Sequence, residues 1–505
     1  MNIPPVVLLL VGVALAGAAV ALAAFAWAVR NGHLDPVSAA TAQDLVSLRS
    51  HMDERAALPV LLFFTSAVFW LVAASVFGLA SSIKFDLPDW LGSIPALTFG
   101  RLRPAHLNAA AYGWASLAAA GCVVWLTSRL CLAPVRLRGC LLASAALWNL
   151  GMVLGIGSIL LGYSQSVEWL EFPLPAAAMI AVAFLLLAAS VFATFRRRTV
   201  EQLYVSLWYI LGAMVWFPLL YVTANLPIYS GVTHGAVNWW YGHNALGTWF
   251  TPIGLALAYY FIPKVIGRPI YSYYLSLLGF WAFALFYNWN GIHHLVGGPV
   301  PNWLQTISII ASVMMGIPVM AVAVNHHLTT VAHFRVLRTS PTLRFTVFGA
   351  MCYTAVSVQG SAEALRGMQE VVHFTHYTVG HAHLGAYAFL TMILFGAFYY
   401  ITPRVARWNW PRPGLIKLHF WLTAGGILLY GAATCVGGWF QGLAMNNPAK
   451  PFVDVVAMMR PYLHARTVSG CLLTAGHLVF AYQFACVVLR RGPKRLATPW
   501  GEAQE

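Results

Sequence analysis

The sequence predicts an all-α polytopic membrane protein with thirteen transmembrane helices, and three observations carry that prediction. Of its 505 residues, 60% are hydrophobic and 9% charged, with a mean hydropathy of +0.72; ordinary soluble chains carry about 25% charged residues. Apolar runs long enough to cross a bilayer, about 20 residues each, recur along the whole chain. The 29 Lys and Arg fall mostly on one side of those runs. The net charge of +15 therefore reflects membrane topology, with no nucleic-acid partner expected, and the 20 Trp and 21 Tyr suit interfacial belts.

Bounded by charged or Pro/Gly-marked breaks, the runs fall near 5–29, 57–79, 107–131, 138–162, 173–195, 201–225, 236–263, 270–294, 304–325, 343–365, 379–403, 415–441 and 465–489. With this division 22 of the 29 cationic residues share one side, and the other seven are Lys84, Arg101, Arg103, Arg366, Lys450, Arg460 and Arg466. Loops rich in Lys and Arg are cytoplasmic. The C-terminus is thus expected in the cytoplasm and the N-terminus in the periplasm of a bacterial inner-membrane protein. "MNIPP" has no positive n-region and Arg30 follows the first apolar run, which predicts a retained anchor instead of a signal peptide. Residues 30–56 are then a polar cytoplasmic linker. The seven Cys form neither CxxC nor CxxCH, so they suggest no disulfide framework and no covalently held haem c. They read as small buried hydrophobes.

Histidine placement carries the functional signal. Of 17 His, those at 33, 51, 326, 327, 333 and 419 fall in cytoplasmic loops or at span ends and receive no site role. His234, His373, His376 and His464 lie near periplasmic edges, and His477 lies in the last span. Six remain: His106, His243, the adjacent His293 and His294, and His381 with His383. His106, His243, His381 and His383 begin spans that enter from the periplasm, while His293 and His294 end a span that leaves toward it. All six therefore share one depth in the outer part of the membrane, where polar side chains are costly. Imidazole suits iron and copper, and no carboxylates favouring a harder metal accompany these positions. His293 and His294 with His243 make a three-nitrogen copper site. His381 and His383 point about 200° apart on a helix, so each can serve a planar cofactor on its own flank. One helix between two haems results, with His106 available as a second ligand to one of them.

These strings resemble the haem-copper oxidase superfamily, and within it the catalytic subunit of the C-type, or cbb-type, cytochrome c oxidases. The resemblance runs from about 57 to 489 through "FGRLRPAHLNA", "WWYGHNA", "YYFIPKVIGRPIYSYYLS", "GIHH", "VVHFTHYTVGHAHLGA" and "MMRPYLHARTVSG". It implies a 12-helix catalytic core over 57–489 and a cytoplasmic tail over 490–505. Residues 1–45, with "FAWAVRNGHLD", resemble the small single-span maturation protein that often accompanies these oxidases, which leaves 46–56 as linker and explains an extra N-terminal helix. Carried over, the resemblance gives His106 and His383 to a low-spin haem b, His381 to a high-spin haem, and His243, His293 and His294 to copper. It implies that Tyr287, six residues before the histidine pair, is cross-linked to His243 and supplies an electron and a proton for O–O cleavage. It also implies oxygen as substrate, cytochrome c as donor, haem c on partner subunits, and proton uptake with pumping.

A proton route can be argued from spacing. Ser276 and Tyr273 lie eleven and fourteen residues before Tyr287, about 20° and −40° off its helical face, so together they climb roughly 21 Å; the resemblance adds Thr251 and Tyr259. A polar stripe of this kind also serves as interhelical glue. One departure stands out. The family usually has a glutamate in an "FEG"-like string 22 residues before the high-spin haem ligand, whereas this chain has "VQG" with Gln359, and its carboxylate comes one turn later at Glu363. Two other functions compete. Nitric oxide reductases share the scaffold but usually carry a glutamate one turn beyond the first metal histidine, where this chain has Gly247. A transporter or haem-handling protein without redox turnover is the second alternative.

Overall fold

In a bilayer the backbone must satisfy its own polar groups, which leaves helices as the solution for apolar runs of this length. The computed structural model describes residues 42–165 and 167–494. The expected span 5–29, nearly all of the 1–45 anchor and most of the 490–505 tail lie outside them. The long helices are α1 (Ala42–Asp86), α2 (Phe99–Cys131), α3 (Arg138–Leu161), α4 (Leu174–Phe195), α5 (Val205–Ala224), α6 (Gly231–Ile266), α7 (Tyr273–Phe286), α8 (Asn302–Thr330), α9 (Pro341–Glu363), α10 (His376–Ala406), α11 (Pro413–Met445) and α12 (Phe452–Val488). Among the described residues ten helices are long and apolar enough to cross a membrane. The helices in the expected spans 270–294 and 343–365, α7 and α9, fall outside that set, α7 because it has only 14 residues.

Local chemistry sets several helix starts. The Ser272, Ser340 and Thr375 hydroxyls accept from the backbone N–H groups of Leu275, Leu343 and Tyr377 at the N-termini of α7, α9 and α10. Two expectations need correction. The stretch 46–56, expected as a linker, continues α1 as helix, and it is pinned there because Asp53 accepts from Arg129 at 2.9 Å and from the Trp125 indole at 2.8 Å. The stretch 270–294 is not one helix. It stops at Phe286, makes a 3-10 turn over Tyr287–Trp289, and makes another over Ile292–Leu295. Gly291 between them has φ +105°, and its Cα lies so close to the Trp239 carbonyl and Trp240 that a Cβ would be 2.7–2.9 Å from them. Only glycine fits both demands.

Sequential helices pack in pairs, and α12 returns against α1. Inside this ring α2, α6 and α10 touch one another. Their most apolar windows are 94%, 89% and 78% buried, against 33% for α12. Every fourth helix is therefore an inner one, and these three carry His106, His243, His381 and His383. Each also contains a π-helical segment: Ala109–Ala115, Leu246–Phe250 and Leu384–Thr391. The segments start three residues after His106, His243 and His381.

A π turn shifts the hydrogen-bond ladder by one residue, so the backbone N–H groups of Ser116 and Thr251 reach five residues back to the Ala111 and Leu246 carbonyls. A hydroxyl adds a hydrogen bond in each case, reaching a carbonyl five residues back: Ser116 to Ala111, Thr251 to Leu246 and Thr391 to Ala386, at 2.8, 3.1 and 3.0 Å. Two of these hydroxyls also accept an indole N–H from a neighbouring inner helix. Trp249 donates to Ser116 and Trp114 to Thr391, each at 3.0 Å. Local irregularity and interhelical register are thus tied through the same oxygen atoms. Ser116→Ala removes the second hydrogen bond to the Ala111 carbonyl, which keeps the Ser116 backbone N–H, and leaves the Trp249 indole unpaired in an apolar interior, at a cost of roughly 1–3 kcal/mol for such a group. The expected outcome is a lower thermal midpoint in detergent, and an unchanged midpoint would show that the π turn does not depend on the hydroxyl.

Candidate metal centre

The two 3-10 turns after α7 carry His293 and His294 to the flank of α6, where His243 projects. The ligating nitrogens of these three all lie within 4.8 Å of one another, the one group of three or more metal-binding side chains found among the described residues. His243 Nδ1 faces His294 Nε2 at 3.0 Å. Two imidazoles bound to one ion at about 2 Å with a tetrahedral angle hold their nitrogens roughly 3.3 Å apart, so the arrangement fits a shared ion. His293 is aimed by its other nitrogen. Its Nδ1 lies 2.8 Å from Ser312 Oγ, which itself donates to the Ser308 carbonyl at 2.8 Å. Nδ1–H is therefore the donor and Nε2 keeps its lone pair for a metal. The Trp239 ring stacks on His294, with centroids 4.5 Å apart.

Tyr287 packs beside this group, its ring 5.1 Å from that of His243 and within 20° of parallel. It occupies the space over Gly247, where a Cβ would overlap the phenol ring. The position therefore has no room for any side chain while Tyr287 is present.

His106 and His383 form the second set. Their rings are 10° from parallel with centroids 6.2 Å apart. An imidazole on each side of one iron, each with a bond of about 2 Å and a centroid roughly 1 Å behind its nitrogen, requires a separation near 6 Å, so the pair fits trans ligation of a haem. Both Nδ1 atoms are committed to backbone carbonyls, His106 to Ala74 and His383 to Val379, each at 2.8 Å. Both Nε2 atoms are left for the metal.

His381, two residues from His383, faces the other flank of α10, near the three-histidine group. Its Nδ1 is buried without a hydrogen-bond partner, as is Glu363 Oε1, and these two atoms are 3.8 Å apart. Gln359, at the position where the glutamate was expected, turns away and donates to Cys435 Sγ at 3.5 Å. The carboxylate nearest His381 is thus the one supplied a turn later.

Among the expected proton-path residues, Ser276 and Tyr259 come together through Asn325, whose amide donates to Ser276 Oγ at 3.0 Å and lies 3.5 Å from Tyr259 Oη. The buried His326 ring lies 4.4 Å from that of Tyr259. Sequence reasoning gave Asn325 and His326 no role. Their signal was the polar run "NHH" at the end of an apolar span. Thr251 and Tyr273 do not join this group directly: Thr251 serves its π turn, and Tyr273 donates to the Leu203 carbonyl at 2.8 Å. The expected single helical face from Tyr273 reaches Tyr287, which caps α7 in helical conformation with its N–H on the Phe283 carbonyl.

A polar layer missed in the sequence ties the loop 163–173 to the two histidine sets. The Asn108 amide donates to Glu171 at 2.8 Å, and Tyr241 donates to Tyr112, which donates to the Trp169 carbonyl, both at 2.5 Å. Arg103 pairs with Glu168. Burial pushes the Glu171 carboxyl up to about 7, against the hydrogen bond from Asn108 that pulls it down. The folded protein therefore holds this proton more tightly than the unfolded chain. The associated stability is full below the ordinary carboxylate range and is lost as pH rises to and through about 7. Glu171→Gln is expected to flatten the decline of the thermal midpoint between about pH 5 and about pH 8; a decline equal to that of wild type would contradict this account.

The family model described as cytochrome c and quinol oxidase polypeptide I matches residues 58–472. The chain is similar to the Cbb3-type cytochrome c oxidase subunit CcoN1 of Stutzerimonas stutzeri, 32% identical over 444 residues, which cover 83% of this chain and 92% of that protein. It is likewise similar to cytochrome c oxidase subunit 1 of Rhodobacter capsulatus, 33% identical over 428 residues and 78% of each chain. In three dimensions it resembles a solved haem-copper terminal oxidase dimer, with a TM-score of 0.66, 14% identity, and 87% of this chain and 86% of that one covered. At that identity the structural likeness speaks for the fold.

Proposed function

The chain belongs to the cytochrome c and quinol oxidase polypeptide I family, and from that premise we propose that it is the catalytic subunit of a terminal respiratory oxidase. It reduces oxygen to water with electrons from cytochrome c and couples this to proton uptake and pumping. The observation that carries the reading is the pair on α10: His383 faces His106 across a haem-sized gap, and His381 faces the three-histidine group. Haem and copper are the family's cofactors. The finer assignment is two b-type haems and one copper ion, with His106 and His383 on the low-spin haem, His381 on the high-spin haem, and His243, His293 and His294 on copper. Together these groups supply one-electron redox chemistry and the place where oxygen is reduced.

The side chains do the rest. Ser312 and the carbonyls of Ala74 and Val379 hold three imidazoles with Nε2 forward. Glu363 takes the positioning role toward His381 Nδ1 that Gln359 leaves open. The Tyr287 phenol stores a proton, and the hydrogen atom it yields completes the delivery of electrons and protons to oxygen. Ser276, Asn325, Tyr259 and His326 form the uptake route from the cytoplasmic side, with Thr251 and Tyr273 packed alongside. Haem c resides, on this reading, on partner subunits at the periplasmic side, in keeping with a sequence that carries no CxxCH. The N-terminus lies in the periplasm and the C-terminus in the cytoplasm of the bacterial inner membrane. Residues 57–489 are the catalytic unit, and 1–45 an added maturation-protein-like anchor. Nitric oxide reduction is disfavoured because the Tyr287 ring excludes a side chain at Gly247.

Tyr287→Phe tests this reading. The variant is expected to bind haem and copper as wild type does, yet lose oxygen turnover by on the order of 100-fold or more, the scale of a positioned proton donor. Any nitric oxide reduction, which needs fewer electrons, should suffer much less. Near-normal oxygen turnover would overturn both the role of Tyr287 and the oxygen assignment.

A further inference from the structure

His477 on α12 is buried and stands outside both metal sets, yet both its ring nitrogens are engaged. Tyr387 Oη lies 2.5 Å from Nε2 and Ser75 Oγ lies 2.6 Å from Nδ1. Ser75 donates its own proton to the Leu71 carbonyl at 2.6 Å, so it accepts from Nδ1–H, and Nε2 accepts the phenol proton of Tyr387. Each arm ends beside a ligand of the same candidate haem. Ser75 follows Ala74, the carbonyl partner of His106, and Tyr387 comes one helical turn after His383. The chain thus joins α1, α10 and α12 beneath the pair of parallel imidazoles.

We propose that Tyr387, His477 and Ser75 form a proton-accepting site coupled to reduction of the low-spin haem. An electron held between His106 and His383 adds a negative charge in a medium where charges attract more strongly than in water. The titratable groups facing His477 are His106 from α2, Tyr387 from α10 and His419 from α11. The Phe395 ring separates His419 from it, 4.4 Å from His419 and 5.9 Å from His477. α1 contributes only the uncharged Ser75, and no carboxylate, Lys or Arg shares a hydrogen bond with His477. The neutral imidazole is therefore the group placed to answer the added charge. Were a haem held between His106 and His383 to be reduced by one electron from the donor, His477 Nε2 would take up one proton from solvent. The new Nε2–H would donate to the Tyr387 oxygen as the phenol O–H rotates away from the ring, and one electron with one proton would leave the net charge of the region unchanged.

The inference rests on His106 and His383 holding one haem; a wild-type enzyme without a six-coordinate low-spin spectrum would overturn that assignment separately. The test is an optical redox titration of the low-spin haem in purified holoenzyme at several pH values, for wild type, His477→Gln and Ser75→Ala. Full coupling lowers the midpoint by about 59 mV for each tenfold fall in proton activity. Wild type is expected to show a pH-dependent midpoint. His477→Gln, which keeps a neutral hydrogen-bonding side chain, is expected to be flat. Ser75→Ala keeps the imidazole and the slope but moves the pH range over which it appears. A pH-independent wild-type midpoint overturns the proposal, as does an undiminished slope in His477→Gln. If the Gln variant does not assemble, an unshifted Ser75→Ala profile overturns it equally.

Discussion

A neutral imidazole has one lone pair to give a metal, and in an apolar interior its other nitrogen must be hydrogen-bonded or bear the cost of burial. Much of this protein answers that constraint. Ala74, Val379 and Ser312 take the back nitrogens of His106, His383 and His293, so their Nε2 atoms face outward toward shared spaces. His381 Nδ1 lacks such a partner, and the buried Glu363 carboxylate stands 3.8 Å from it with its Oε1 equally unpartnered. Two unsatisfied groups this close in a buried setting belong together. The carboxylate has moved one turn along α9 relative to the pattern the resemblance leads one to expect.

The same constraint reaches the backbone. Ligands must leave α2, α6 and α10 at one level and toward different neighbours, and an uninterrupted α-helix gives little freedom to choose those directions. Each inner helix gains that freedom from a π segment three residues past a histidine. Each adds a hydroxyl hydrogen bond from a Ser or Thr to a carbonyl of that segment five residues back. The indoles of Trp249 and Trp114 then fix the helices to one another through those hydroxyls. At the third junction the corresponding aromatic is Phe389, which has no N–H to donate and packs on Gly254 of α6 instead.

Hydropathy and cation placement made the helical class and most spans legible, because lipid imposes length and charge rules that sequence displays directly. The six histidines were legible because buried polar residues are rare enough in a membrane to be counted. Geometry that depends on third parties was hidden. The Asn290–Gly291 pair in "YNWNGIHHL" is a turn signal, but the fit of Gly291 under the Trp239 carbonyl that fixes the path to the histidines lies on another helix and leaves no mark in the string. Asn325 joins Ser276 and Tyr259 only because α8 packs on α7. Glu171 and His477 are single polar residues whose partners lie on distant segments, and spacing carries no trace of them.

The central claim is that this chain builds two separate imidazole sets, one of three histidines for copper and one divided across α10 for two haems. The most direct measurement is the metal content and visible spectrum of wild type beside His243→Ala, His293→Ala and His294→Ala. The account predicts both haem signals in all four proteins and copper in wild type only, since dropping from three imidazoles to two removes most of the affinity. Copper retained in these variants, or iron in place of copper in wild type, would contradict it.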